Sequence, residues 1–274
     1  MNAGGSVVAS APRGHGTDDP IGIGLVRPDL LGTYGDAGNA EVLQRRLEWR
    51  GRATEVVALG RGAAIPPHVK VLVLGGGEDR SQLELMDDRP LMDAVRAAAD
   101  DGAAVFGVCA GLQLLGHSFA GPDGTRHAGL GLLDCTSGRL ERRAVGECLT
   151  ESAGGRDAGS GTMLTGFENH RGRTTRGVLA SPLGWVTAGV GNGDGTDGAV
   201  SRSGRVIGTY LHGPVLARNP TLADRILESV LGPLPALELD EVERLRVERI
   251  AAARGWRSFR PRRFRPTVRA GAVR

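Results

Sequence analysis

Of the residues able to do covalent chemistry, Cys109 stands in a setting that the other cysteines lack. It lies in Ala103-Ala104-Val105-Phe106-Gly107-Val108-Cys109-Ala110-Gly111-Leu112-Gln113, where an apolar run ends in G-x-C-x-G and passes straight into helical spacing. A nucleophile on such a strand-to-helix elbow is held in a sharp turn at the top of a sheet. Gly107 and Gly111 let strand and helix approach without Cβ clashes. The sulfur would sit at a helix N-terminus, whose partial positive charge favours a thiolate. The Ala110 N–H would be placed to donate to a developing oxyanion. Cys135 and Cys148 lack the glycine bracket and read as buried, inert thiols. With no C-x-x-C pair, no metal site is expected, and the odd count argues against a disulfide framework.

A thiolate needs a base, and the chain has six histidines. His15 lies in the N-terminal lead-in, His68 precedes a strand, His117 falls two turns along the helix from Cys109, and His127 is in a loop. His170 in GFENHRGRT and His212 in GTYLHGP remain. His212 ends an apolar strand, and Gly213-Pro214 stop the ladder there. A residue at the carboxyl end of a parallel strand faces the same crevice as the elbow. His212 is therefore the expected general base. His170 is its rival, with a loop histidine bonded to backbone as the bland alternative. The remaining piece is Gly75-Gly76-Gly77, which closes the apolar run Val69–Leu74. Its bare N–H groups, near Gly76, could complete an oxyanion hole with Ala110. No G-K-[ST] follows, so a phosphate-binding loop is disfavoured.

The elements that must carry these residues alternate along the chain. Strands are expected over Ile21–Val26, Glu55–Leu59, Val69–Leu74, Ala103–Val108 and Val206–Leu211. Helices are expected over Asn39–Arg50, Leu83–Ala99 with an interruption near Pro90, Gly111–Phe119 and Pro220–Leu231. Alternation of this kind predicts an α/β protein with a mostly parallel central sheet flanked by helices. The second half is less regular, with strands at Leu140–Glu147 and Thr162–Asn169 on either side of a Gly-rich, flexible insertion at about 151–162. Residues 1–20 read as a disordered lead-in, 21–235 as the catalytic domain, and 236–274 as a helical segment followed by a basic, disordered tail.

Composition narrows the class further. Of 274 residues, 40% are hydrophobic but only 4% aromatic, so the core is expected to be aliphatic. No run approaches the roughly 18 apolar residues of a membrane span, and the N-terminus has no secretory pattern. The net charge of +3 is modest. The arginine-rich stretch from Arg254 to Arg274 reads as a solvated tail rather than a site for an anionic membrane surface, nucleic acid or an acidic partner.

Together, these motifs resemble those of a known family. GVCAGLQLLG is similar to the nucleophile motif of class I, triad-type glutamine amidotransferases, which have a flavodoxin-like fold. LLGTYGDAGNA, LGGGEDR, GFENHRGRT and GTYLHGPVLARNP narrow the resemblance to the CobB/CobQ-like branch, over Ile21 to Leu231. Within it they point to the glutaminase subunits of lipid II isoglutaminyl synthases. The resemblance implies Cys109 as nucleophile, His212 as catalytic histidine, and Arg143 in R-A-V-G-E as the arginine that grips the glutamine α-carboxylate, with Arg142 adjacent. Gly76, Ala110 and Gln113 join Arg143 as the expected substrate-binding group. It also implies a heterodimer with a Mur-ligase-like (MurT-type) subunit. That partner would hold ATP and Mg and reach lipid II, while this chain would need no cofactor and would work in the cytoplasm, at the inner face of the membrane. A corrin-ring amidotransferase and a silent partner-binding scaffold are the alternatives.

One feature departs from the superfamily pattern. Many class I glutaminases follow the histidine with a glutamate two residues on, whereas this chain has His212-Gly213-Pro214. An imidazole without an orienting carboxylate is a weaker base. The expectation is that the partner subunit supplies the acid.

Overall fold

The computed structural model describes residues 20–32, 35–153, 162–237 and 239–256. The expected disordered lead-in, the centre of the Gly-rich insertion and the basic tail lie outside the described residues.

The apolar runs form the middle of one sheet because their side chains are covered on both faces, as continuous aliphatic strands require. In it, β1 (Ile21–Val26) lies between β2 (Thr54–Leu59) and β3 (Val69–Leu74), and β4 (Ala104–Val108) lies between β3 and β13 (Val206–Thr209). These five strands are parallel. Two short antiparallel strands, β12 (Ala199–Ser201) and β9 (Ala180–Ser181), extend the sheet past β13. One face packs on α1 (Gly38–Glu48) and α6 (Pro220–Leu231) through Leu43, Leu47, Ile226 and Leu227. The other packs on α3 (Arg89–Asp100) and α4 (Ala110–Leu115) through Leu91, Val95, Leu112 and Leu115. The α/β fold with a mostly parallel central sheet is the architecture that the strand–helix alternation predicts.

Three boundaries differ from expectation, each for a local reason. The helix expected over Leu83–Ala99 is two helices, α2 (Asp79–Asp87) and α3. The break falls at Asp88, whose carboxylate accepts the Gly62 N–H and pairs with Arg27, just ahead of Pro90. The helix expected to reach Phe119 stops at Leu115, because the N–H groups of Leu130 and Leu133 take the carbonyls of Leu114 and Leu115. Residues Ser118–Ala120 then become β5, and His127 lies on β6 (Arg126–Ala128) rather than in a loop. The two strands expected around the insertion are much longer, β7 (Cys135–Ser152) and β8 (Met163–Arg176), so His170 is a strand residue.

Those long strands belong to a second sheet that the sequence reading did not anticipate. Its order is β11 (Thr196–Asp197), β10 (Gly184–Ala188), β7, β5 and β6, with β8 paired to β7. An antiparallel bridge between Phe167 of β8 and His212 ties it to the end of β13. The N–H to carbonyl distances in that bridge are 3.1 and 2.8 Å. The short α5 (Val215–Arg218) follows, and α7 (Asp240–Trp256) lays Ile250 and Ala253 on Leu149. Among the described residues, no helix is long and apolar enough to cross a membrane.

Candidate active site

Cys109 leaves β4 in a conformation that side chains rarely adopt, with φ 53° and ψ −99°. Such a backbone costs on the order of 1–3 kcal/mol and persists only where its surroundings hold it. Here the Cys109 N–H donates to Thr209 O at 2.8 Å, and Gly111 N–H donates to Gly75 O at 3.2 Å. The flanking glycines are sterically required. A Cβ on Gly111 would lie 2.4 Å from Leu74 O, and one on Gly107 would lie 2.7 Å from the carbonyl carbon of Gly111. Since α4 has only six residues, the turn rather than a long helix dipole is what presents the sulfur.

His212 is 1% exposed and stands behind Cys109, with which its side chain is hydrogen-bonded. Its Nδ1–H donates to Asp36 Oδ2 at 2.9 Å. A carboxylate from this chain therefore stands behind the imidazole, although none follows His212 closely in sequence. Asp36 comes from the loop after β1 and is fully buried. Two residues in the first turn of α1 tie that loop to the start of α5. Asn39 Oδ1 accepts the Leu216 N–H at 3.0 Å, and Gly38 has no Cβ because Pro214 Cγ would lie 2.5 Å from it.

Gly76 does something other than the oxyanion task expected of it. Its N–H donates to Asp36 Oδ2 at 2.8 Å, and a Cβ there would meet His212 Cε1 at 2.8 Å. The bare backbone at Gly76 thus lets acid and imidazole meet, while Gly77 is the glycine that faces the cleft.

Burial pulls the His212 pKa down, but the hydrogen bonds to Asp36 and Cys109, together with their charge, outweigh it and raise the value to about 9. A raised folded pKa means that the native state holds a proton that the unfolded chain has released, so unfolding free energy falls as pH rises through that window. The contribution of His212 is complete below its ordinary 6.5 and disappears as pH passes about 9. Thermal melts of the full chain and of Asp36→Asn should therefore differ most near neutral pH or below and converge above about 9. A gap independent of pH would show that Asp36 acts on stability without His212.

In front of Cys109 lies a cleft of about 210 Å³ between the two sheets. It brings together Cys109, Gln113, Gly77, Arg139, Arg143 and His170, whereas Arg142 is not among its lining residues. The ladder between β7 and β8 explains the choice of arginine. Pairing jumps from Arg139↔Gly172 to Ala144↔His170, leaving a bulge of four residues opposite Arg171. Arg171 closes it by donating to Leu140 O and Glu141 O. The bulge re-aims the strand, as bulges beside sites do. It leaves Arg143 Nε donating to Asn169 Oδ1 at 2.6 Å. Gln113 lines the cleft too, but both ends of its amide are engaged, Oε1 by Gln82 at 2.5 Å and Nε2 by Tyr210 OH at 3.3 Å. The other two cysteines are remote from this chemistry. Burial pushes the Cys135 thiol up to about 12, and Cys148 is raised further by the same cause.

A thiol on a strained elbow, an imidazole bonded to it, a buried carboxylate behind the imidazole and arginines across the cleft together suit acyl transfer from a small carboxylate-bearing substrate. Relatives agree with this geometry. The profile of the CobB/CobQ-like glutamine amidotransferase domain matches residues 22–220. The chain is 32% identical over 240 residues to the lipid II isoglutaminyl synthase (glutamine-hydrolyzing) subunit GatD of Staphylococcus aureus, covering 85% of this chain and 96% of that one. It is 34% identical over 165 residues to the cobyric acid synthase of Brucella anthropi, covering 58% of this chain and 32% of that one. Among solved structures, a glutamine amidotransferase superposes with a TM-score of 0.53 at 23% identity over 76% of this chain and 98% of its own. The glutaminase domain of Trypanosoma brucei CTPS with bound acivicin gives 0.51 at 13% identity over 80% and 96%. By its sequence match and its class I fold, the chain belongs to the CobB/CobQ-like glutamine amidotransferase family.

Proposed function

We propose that this chain is the glutaminase subunit of a lipid II isoglutaminyl synthase, hydrolysing L-glutamine and delivering ammonia to an ATP-dependent, Mur-ligase-like partner of the MurT type. The observation that carries the chemistry is the Cys109–His212–Asp36 grouping at the floor of an arginine-lined cleft. The reading of the acceptor draws on coverage. The GatD relative is matched along 96% of its length and the cobyric acid synthase along 32%, which favours the first.

In this mechanism Arg143 pairs with the glutamine α-carboxylate, and Cys109 Sγ, whose proton His212 already holds, attacks the side-chain amide carbon as a thiolate. The N–H groups of Ala110 and Gly77 are the candidates to hold the oxyanion, since that of Gly76 is engaged by Asp36. His212 then protonates the departing nitrogen, and ammonia leaves behind a thioester. Water, deprotonated by His212, attacks that carbonyl and releases glutamate with the free thiol. Asp36 keeps the His212 proton on Nδ1 when the ring is neutral, and stabilises the imidazolium when it is charged. The partner would use ATP and Mg to amidate the α-carboxylate of D-glutamate in the stem peptide of lipid II, at the inner face of the membrane. This chain needs no cofactor for its half-reaction.

The test is to co-express the full chain with a Mur-ligase-like protein from the same source and to supply lipid II, glutamine and Mg-ATP. Mass analysis should show an OH-to-NH2 exchange in the stem peptide that depends on both chains. Glutamine hydrolysis without change to lipid II would overturn the acceptor. Absence of hydrolysis even in the pair would overturn the glutaminase.

A further inference from the structure

The three arginines that line the cleft are held in different ways. Arg139 donates to the Asp79 carboxylate at 3.0 Å and to Gly121 O at 2.6 Å, so its charge is already countered. Arg171 turns Nε and Nη2 toward the carbonyls of Leu140 and Glu141, which close the bulge. Arg143 has a single partner residue among the described residues, Asn169. Its Nε donates to Asn169 Oδ1 at 2.6 Å and its Nη2 to Asn169 O at 3.4 Å. Among the described residues no carboxylate pairs with Arg143, and its Nη1 has no hydrogen-bond partner.

A guanidinium carries donors only, so the Asn169 amide must turn its oxygen toward Arg143. Arg143 is exposed and stands on the bulge, where an untethered side chain would sample many rotamers and lose that freedom on binding. Asn169 stands on firmer ground. It pairs with Val145 where the regular ladder has resumed past the bulge. With Nε and one hydrogen of Nη2 engaged, the remaining edge of the fork can still meet both oxygens of a carboxylate. The tether is also neutral, so the positive charge is left for that carboxylate. An aspartate in its place would hold the arginine and cancel the charge.

We propose that Asn169 is a positioning residue that aims the Arg143 guanidinium at the substrate α-carboxylate with its charge uncountered, so that the site selects an amino acid whose α-carboxylate is free. The inference rests on the glutaminase reading and adds to it a residue that acts through Arg143. Ordering one long side chain before the substrate arrives makes about three- to tenfold in binding the expected scale.

The test follows alkylation of Cys109 in the full chain by 6-diazo-5-oxo-L-norleucine and by its α-methyl ester, read as intact mass over a range of reagent concentrations. Wild type should half-saturate with the free acid at a concentration lower by about tenfold or more. Asn169→Ala should raise that concentration about three- to tenfold, leave the maximal rate within about twofold, and leave the ester unaffected. Asn169→Asp should lose at least as much, because it keeps the bond and cancels the charge. In an Arg143→Ala background, Asn169→Ala should add nothing further, since no guanidinium is left to aim. The proposal is overturned if wild type does not prefer the free acid, if either Asn169 variant keeps the wild-type preference, or if the losses in the double variant add. An equal fall in maximal rate with both reagents would mark Asn169 as structural and overturn it too. A wild-type chain labelled at Cys109 by neither reagent would instead overturn the glutaminase reading, and this inference with it.

Discussion

Cys109→Ala is expected to lower glutamine-dependent activity by roughly 10⁴-fold or more, the scale on which loss of a covalent nucleophile is felt when its partners remain. The size follows from what the elbow does. It holds one sulfur at the cleft, with His212 bonded to it and Asp36 behind, and no second thiol is near, because Cys135 and Cys148 are buried elsewhere in forms that resist ionisation. In the complex with the proposed ligase, amidation driven by added ammonium salt should survive, since only the source of ammonia has been removed. The melting temperature should stay within a few degrees of wild type. The position is strained whichever side chain it carries, and alanine keeps the same unfavourable φ. Loss of both the glutamine-driven and the ammonium-driven reactions would mean that Cys109 supports the fold or the docking rather than the chemistry.

Much of this site was legible because its parts obey one local rule each. The G-x-C-x-G bracket announces a turn that only small flanking residues permit, and the clash distances at Gly107 and Gly111 are the physical content of that pattern. The strand ends at Gly76 and His212 were found by asking what lies at the carboxyl edge of a parallel sheet. The same question asked of β1 leads to Asp36, since β1 and β3 are neighbours in the sheet and their carboxyl ends lie side by side. The local sequence around His212 carries no sign of it, because 176 positions separate the two residues.

The cleft wall was harder for a different reason. β7 and β8 carry Gly, Arg and Thr in place of a clean alternation, and half of their faces look onto solvent or onto the site. Nothing in the local pattern reveals the four-residue bulge that holds both arginines and leaves Arg143 rather than Arg142 lining the cleft, because it depends on pairing with a strand that starts beyond the insertion. His170 looked like a loop histidine for the same reason. Its stacking on Tyr210 and its approach to Glu168 exist only once the second sheet lies against the end of β13.

Asp36→Asn is the sharper test of the geometry, because it changes one oxygen of a group that touches no substrate. Asp36 Oδ2 accepts two N–H groups, from His212 Nδ1 and Gly76, and an asparagine can present its oxygen there without its charge. The loss should fall on kcat far more than on KM, by roughly 10²–10⁴-fold, as when the acid of a nucleophile–histidine–acid triad is replaced by its amide. The alkaline limb of the pH profile should move down as well. Asp36 is among the groups that raise His212 to about 9, so its replacement should bring the imidazole back toward the ordinary 6.5. A drop in rate with an unmoved profile would assign Asp36 to packing alone. The decisive comparison is between the isolated chain and the chain bound to its ligase. An acid supplied within this chain predicts the same proportional loss in both settings. If the isolated wild type is nearly inactive and Asp36→Asn is harmless in the complex, the orienting carboxylate must come from the partner, and the Asp36–His212 contact would describe only the unbound chain.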